Sequence, residues 1–198
     1  AMVNKTQATG GILSLEDLKA YLPKWRDPLT FSYKDLNLIS MAPPSSGGIC
    51  LGQMMKMIEP YDLKSMGHNS VESMHLMVEA ERRSYADRSH FLGDPDFVAV
   101  PQDHLMDENY LLSRMENYSK EAATASADVS HGDIIVVESD ETTHFSILDA
   151  KGNAVAVTTT LNGAYGSKVF VEEIGVFMNN EMDDFSSKPG EPNMFGLI

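Results

Sequence analysis

Thr142-Thr143-His144-Phe145-Ser146-Ile147-Leu148, followed after Asp149-Ala150-Lys151-Gly152-Asn153 by Ala154-Val155-Ala156-Val157-Thr158-Thr159-Thr160, reads as two strands joined by a loop. β-branched and aromatic residues fill both runs, and turn-forming residues separate them. If residues 149–153 form the loop symmetrically, Leu148 faces Ala154, Ile147 faces Val155 and Phe145 faces Val157. That register gathers one apolar face for a helical layer to cover. The opposite face carries Thr142, His144 and Ser146 against Thr160, Thr158 and Ala156. Directly opposite Cβ atoms lie ~4.5–5.5 Å apart, so the Thr160 hydroxyl falls beside Thr142 at the strand end. A hydroxyl is a weak nucleophile and needs a base. A threonine carries one in its own α-amino group, with an ordinary pKa of ~7.7–8.0, but only if the chain is cut just before it. The plain alternative is an ordinary hairpin with threonines on a solvated face.

The 198 residues are 42% hydrophobic and 22% charged, a balance that suits one globular domain with a real core, or a piece of a larger one. A formal net charge of −14, from 15 basic and 29 acidic residues, argues against nucleic acid and anionic membrane surfaces as partners. No apolar run approaches the ~20 residues that span a bilayer, and the polar opening Ala1-Met2-Val3-Asn4-Lys5 does not read as a signal peptide. The lone Cys50 has no partner for a disulfide and no zinc-ligand spacing, so it reads as a buried structural thiol.

Upstream of the hairpin, Ser14-Leu15-Glu16-Asp17 opens a helix with a cap and acids at its positive end, with Leu15, Leu18 and Tyr21 as its apolar stripe and Pro23 as its stop. Residues 29–32 and 36–41 predict a hairpin around Tyr33-Lys34-Asp35. Pro43-Pro44-Ser45-Ser46-Gly47-Gly48 is then a loop whose glycines permit close backbone approach, with no Gly-Lys-Ser/Thr to make it a phosphate cradle. Residues 49–58 predict a Met-rich core helix closed by Pro60. From Ser70 to about Ser89 the spacing of Val71, Met74, Val78 and Tyr85 predicts a long helix with Glu72, Glu79, Glu81, Arg82 and Arg83 largely on its other faces. His75 and Glu79 stand one turn apart without an HExxH pattern, which favours a structural hydrogen bond over a metal site. Gly93-Asp94-Pro95-Asp96 is a turn, and residues 105–120 supply one or two helical pieces. Residues 121–133 read as a mobile linker, and Ile134-Ile135-Val136-Val137 as a short buried strand.

Downstream, Asn179-Asn180-Glu181-Met182-Asp183-Asp184-Phe185 follows an apolar piece at 174–178 and begins where a strand ends. Its carboxylates suit a calcium ion, the cationic group of a substrate, or water alone, and it lacks the order and glycine of an EF-hand. Residues 186–193 form an irregular surface connection. A Gly-x-Ser-x-Gly elbow is absent, which lowers the case for an ordinary serine hydrolase.

Taken in order, Thr142-Thr143-His144-Phe145-Ser146, Gly152-Asn153-Ala154-Val155-Ala156, Thr160-Leu161-Asn162, Asn179 through Ser186, Pro189-Gly190 and Pro192-Asn193 closely resemble the γ-glutamyltranspeptidase family. Pro43 to Gly48, Glu79-Ala80, Ala86-Asp87-Arg88 and Gly93-Asp94-Pro95 resemble the end of that family's large subunit. The resemblance runs from about Gly10 to Leu197. It implies an α+β fold, a four-layer αββα sandwich of the N-terminal-nucleophile hydrolase type, in a precursor that cuts itself between Glu141 and Thr142. Residues 1–141 would then belong to the large subunit with a linker, and 142–198 to the start of the small one.

By the same resemblance, Thr142 is the nucleophile that takes a γ-glutamyl group from glutathione or a related amide. Water, an amino acid or a dipeptide then receives that group. Thr160 is similar to the family threonine that hydrogen-bonds the nucleophile, and Asn162, Glu181 and Asp184 match positions that bind the glutamyl α-amino group. No metal or organic cofactor is implied, and the location implied is periplasmic or extracellular. The arginine that binds the α-carboxylate lies upstream of this chain in the family, and the Ser-Ser and Gly-Gly segments that supply the oxyanion hole lie downstream. The 198 residues alone are therefore expected to be inactive.

Two alternatives stand beside this reading. One is a related acylase acting on a glutaryl-type side chain or on poly-γ-glutamate; Glu181 and Asp184, which suit an ammonium, argue against the glutaryl version. The other is a non-catalytic, calcium-linked binding module on the same fold.

Overall fold

The computed structural model describes residues 1–130, 142–185, 188 and 191, with Thr142 described by its backbone alone. The polar opening forms α1 (Met2–Ala8), followed by α2 (Leu15–Ala20). The start of α2 is a full capping box: Ser14 Oγ accepts from the Asp17 N–H, and the Asp17 carboxylate accepts from the Ser14 N–H at 2.8 Å. Its expected apolar stripe is not buried, since Leu15, Leu18 and Tyr21 are all exposed. β1 (Leu29–Tyr33) and β2 (Leu36–Ser40) form the predicted hairpin, turning at Lys34 with φ 53°.

α3 (Gly47–Ile58) starts within the Pro-Gly loop. A Cβ on Gly48 would lie 2.0 Å from the Met41 carbonyl oxygen, so the close backbone approach expected of these glycines is real. α4 (Leu63–Met66), α5 (Val71–Phe91), α6 (Gln102–Leu105) and α7 (Glu108–Arg114) follow, then a single 3-10 turn at Ser126–Asp128. Buried Cys50 lies inside α3, as a structural thiol should.

α5 starts at Ser70, whose side chain accepts from the Ser73 N–H, but its buried face differs from the predicted one. Leu76, Ala80, Arg83, Ser84 and Asp87 point inward, whereas Val71 is 88% exposed and Met74 and Val78 are exposed too. Leu76 and Ala80 join Met57, Leu111 and Met115 in one core cluster, and Leu29, Ile49 and Leu105 form a second. The charges placed on outer faces by their sequence spacing are in part core residues: Glu79 and Arg83 are each 1% exposed.

Those charges are buried because each one is answered. Arg83 Nη1 donates to Glu79 Oε2 at 2.6 Å, Arg83 Nη2 to Asn117 Oδ1 at 2.5 Å and to Thr124 Oγ1 at 3.0 Å, and Arg83 Nε to the Arg114 carbonyl at 2.6 Å. Arg82 donates to the Thr124 carbonyl at 2.8 Å and to Ser126 Oγ at 3.2 Å. The described part of the segment read as a mobile linker is thus tied to α5 by side-chain bonds, which its small polar composition could not reveal.

β3 (Thr142–Leu148) and β4 (Ala154–Thr160) form one antiparallel pair, and β5 (Phe170–Val171) and β6 (Val176–Phe177) another. Each sheet of the described residues has two strands. The strand expected at 134–137 and the connection at 186–193, apart from Lys188 and Glu191, lie outside the described residues. The chain divides into two compact units rather than one domain: Lys24–Ile134 forms one, and Ala1–Pro23 with Ile135–Ile198 forms the other.

Candidate active site

The β3–β4 register is the predicted one at every pair, from Leu148 opposite Ala154 to Thr142 opposite Thr160. Asp149 holds the loop, accepting from the N–H groups of Lys151 at 2.8 Å and Asn153 at 2.9 Å and from Asn153 Nδ2 at 2.7 Å. The Asn153 side-chain bond, followed by these backbone bonds, keeps the Asp149 carboxyl below its ordinary range. The apolar face forms, but within the described residues Phe145, Ile147 and Val155 remain exposed.

On the hydroxyl face, His144 Nδ1 shares a 2.7 Å hydrogen bond with Thr158 Oγ1 and Nε2 shares one of 3.3 Å with Ser146 Oγ. This imidazole spans the rung next to Thr142 and Thr160. Thr160 Oγ1 accepts from the Asn162 N–H at 2.9 Å, so the hydroxyl at the end of β4 also starts the turn that follows.

Asn162 sits in that turn with φ 73°, a left-handed conformation that asparagine tolerates better than most residues, and it is 5% exposed. Its Nδ2 donates to Asp184 Oδ1 at 2.7 Å and to the Asn180 carbonyl at 3.3 Å. Glu181 and Asp184 are the first and last residues of a 3-10 helix (Glu181–Asp184), both exposed. The Glu181 N–H donates to Asn179 Oδ1 at 3.2 Å. Asn162 and Asp184, twenty-two residues apart in sequence, therefore meet at the end of β4, and Glu181 opens the same 3-10 helix that carries Asp184. The Asp184 carboxylate is held by the neutral amide of Asn162, an arrangement chemically suited to an ammonium group.

Asn180 lies within the polar cluster, where nothing in the local sequence marks it for a role. In the structure its Oδ1 accepts from the Gly163 N–H at 2.8 Å and its Nδ2 donates to Asp183 Oδ2 at 3.0 Å. His144 is a second such residue. Its alternation with Thr142 and Ser146 on one strand face was the available signal.

Glu141, on the other side of the expected cut, lies outside the described residues. His75 and Glu79 serve structure: His75 Nε2 shares a 2.9 Å hydrogen bond with the Ser119 carbonyl, and Glu79 is held by Arg82 and Arg83. Among the described residues no cluster of three or more His, Cys, Asp or Glu is arranged to hold a metal ion. Nor is any described helix long and apolar enough to cross a membrane.

A family model described as gamma-glutamyltranspeptidase matches residues 1–197. The chain is 43% identical over 197 residues to a glutathione hydrolase proenzyme of Escherichia coli K12, covering 100% of this chain and 34% of that protein. Among solved structures, the γ-glutamyltranspeptidase of Helicobacter pylori superposes with a TM-score of 0.62 at 37% identity, over 67% of this chain and 38% of that one. A cephalosporin acylase from Bacillus halodurans superposes with a TM-score of 0.73 over 96% of this chain and 33% of its own, at 19% identity, a likeness of fold. The chain spans about a third of the length of the curated relatives it matches.

Proposed function

Because the chain belongs to the γ-glutamyltranspeptidase family, we propose that it is part of a glutathione hydrolase and γ-glutamyltransferase precursor whose mature nucleophile is Thr142. Three relatives matched along essentially the whole chain are glutathione hydrolase proenzymes by name. A proenzyme requires a maturation step, and the start of β3 is where this reading places it. In that step the Thr142 hydroxyl oxygen attacks the carbonyl carbon of Glu141. The peptide C–N bond breaks as the ester forms, and the Thr142 nitrogen leaves as an amine. Water then hydrolyses the ester, giving the Glu141 carboxylate and a Thr142 with a free amine and a free hydroxyl. Residues 1–141 would be the C-terminal part of the large subunit with its linker, and residues 142–198 the N-terminal part of the small one.

In turnover that amine is the base. It removes the hydroxyl proton as the oxygen attacks the γ-carbonyl of glutathione or a related γ-glutamyl amide, and returns the proton to the departing amine. The hydroxyl of Thr160, the residue opposite Thr142 in the register, donates to the nucleophile oxygen. Asn162, Glu181 and Asp184 take the α-ammonium of the glutamyl group, with Glu181 and Asp184 supplying negative charge and Asn162 an oriented amide. The γ-glutamyl ester is released to water in hydrolysis, or to an amino acid or dipeptide in transfer. We place this chemistry in a four-layer αββα sandwich of the longer protein, working in the periplasm or outside the cell. The exposed apolar face of the β3–β4 hairpin supports that architecture, since such a sandwich would cover it.

The observation that carries the proposal is the pairing of Thr142 with Thr160 at the strand end that leads directly into the Asn162–Asp184 contact. The test is intact-mass analysis of the full-length precursor with a γ-glutamyl-p-nitroanilide assay. Two chains with Thr142 as a new N-terminus, and turnover, are expected. Thr142→Ala is expected to leave one uncut chain with no activity. A wild-type precursor that stays whole and binds calcium tightly would favour a binding module instead. Turnover of poly-γ-glutamate or glutaryl amides in preference to γ-glutamyl amides would favour a related acylase.

A further inference from the structure

The turn after β4 places two consecutive N–H groups, those of Asn162 and Gly163, where side chains receive them. Thr160 Oγ1 takes the first at 2.9 Å, and Asn180 Oδ1, seventeen residues further along the chain, takes the second at 2.8 Å. The rest of Asn180 is equally committed to the site. Its N–H donates to the Leu161 carbonyl at 3.1 Å, its carbonyl accepts from Asn162 Nδ2 at 3.3 Å and from the Asp183 N–H at 2.9 Å, and its Nδ2 donates to Asp183 Oδ2 at 3.0 Å. These bonds fix the amide orientation, because the oxygen must face Gly163 and the nitrogen Asp183. The two segments also approach closely elsewhere: Gly166, with φ 52°, has no room for a Cβ, which would lie 2.1 Å from the Met178 carbonyl oxygen. The path that delivers Asn180 is therefore pinned to the turn that presents Asn162.

We infer that Asn180 is a positioning residue for donor selection: its side chain bolts the Asn162 turn to the acidic 3-10 helix and so sets the spacing at which Asn162, Glu181 and Asp184 meet an α-ammonium. This rests on the reading of those three residues given above. Asn180 touches no reacting atom in the scheme. Loosening it therefore weakens recognition of the amino group while leaving bond making and breaking largely intact.

The experiment uses the matured full-length enzyme with two anilides differing only in the α-amino group, γ-glutamyl-p-nitroanilide and glutaryl-p-nitroanilide. For Asn180→Ala the expected result is a KM for the γ-glutamyl donor raised about tenfold with kcat changed less than about threefold, and an equal fall in the preference for γ-glutamyl over glutaryl. Asn180→Asp, which keeps an acceptor for the Gly163 N–H, is expected to recover part of that loss. Unchanged KM and unchanged preference in Asn180→Ala overturn the inference. If Asn180→Ala does not mature, Asn180→Ser is measured in its place, and wild-type preference there overturns it. Failure of both to mature also overturns it, because Asn180 would then act in folding or processing. Asp184→Asn is run alongside. If it leaves the preference intact, the ammonium reading itself fails; if it collapses the preference while Asn180→Ala does not, only the role of Asn180 fails.

Discussion

Acidic residues are handled in opposite ways in the helical unit and in the turns after β4. On α5, Glu79 is buried and receives two guanidinium groups, Arg83 at 2.6 Å and Arg82 at 2.7 Å. In the turns, the described bonds to the exposed Asp183 and Asp184 come from the neutral amides of Asn180 and Asn162. A carboxylate met by arginine is cancelled, and its field goes no further than the pair. A carboxylate held by an amide is oriented just as firmly and keeps its negative charge for a cation. The same residue type therefore meets guanidinium groups in one place and amides in the other, and under the proposed function the second arrangement serves recognition.

The largest expected effect breaks the first half of that contrast. Glu79→Ala leaves Arg83 buried without its carboxylate and is expected to destabilise the protein by ~3–5 kcal/mol in denaturant unfolding. Glu79 also ties stability to acid. Burial alone pushes its carboxyl up, but hydrogen bonds from Arg83, Thr124 and Arg82 outweigh that and bring it from 4.5 down to about 2. A depressed folded-state pKa contributes stability that is full above the unfolded value and lost as pH falls through the folded one. Unfolding free energy should therefore drop between about pH 4.5 and about pH 2, and Glu79→Gln should flatten that slope.

Next comes the second half of the contrast. Asp184→Asn keeps an oxygen for Asn162 and removes the charge. We expect kcat/KM for γ-glutamyl donors in the matured parent to fall ~10–100-fold. Stability should stay within ~0.5 kcal/mol, since the residue is exposed. A large loss of stability with little kinetic change would erase the distinction between the two regions. The smallest effect is a control outside both. Ser14→Ala removes the α2 cap and should cost ~1 kcal/mol without altering donor preference.

The hairpin was fully legible because its information is local. Strand alternation fixes which residues share a face, and a five-residue loop closed by Asp149 leaves one register that pairs Phe145 with Val157 and Ile147 with Val155. The β1–β2 hairpin, the Ser14 cap and the Gly48 contact were legible for the same reason. The inner face of α5 was not. Helical spacing finds Val71, Met74 and Val78 as readily as Leu76 and Ala80, and apolar residues outside a core are ordinary. What turned the helix was the burial of Glu79, Arg83 and Asp87, possible only because Thr124, Asn117, Gln53 and Arg114 arrive from other segments. In the site, Asn162, Glu181 and Asp184 are named by family resemblance, and the contact of Asn162 with Asp184 is a property of the folded turns. Asn180 went unassigned because its side-chain bond to Gly163 spans seventeen residues, a distance at which sequence pattern carries no geometry.

By itself the sequence determined the family, the order of its motifs, the threonine pair across β3 and β4 and the acidic segment that follows them. Those follow from side-chain period, turn chemistry and residue order, all properties of short stretches of chain. Only the tertiary structure decided which charges are cancelled in a core and which are held by amides, and which asparagine ties the turns together. A buried or oriented polar group is stable only when distant partners satisfy it, and those partners are chosen by the fold.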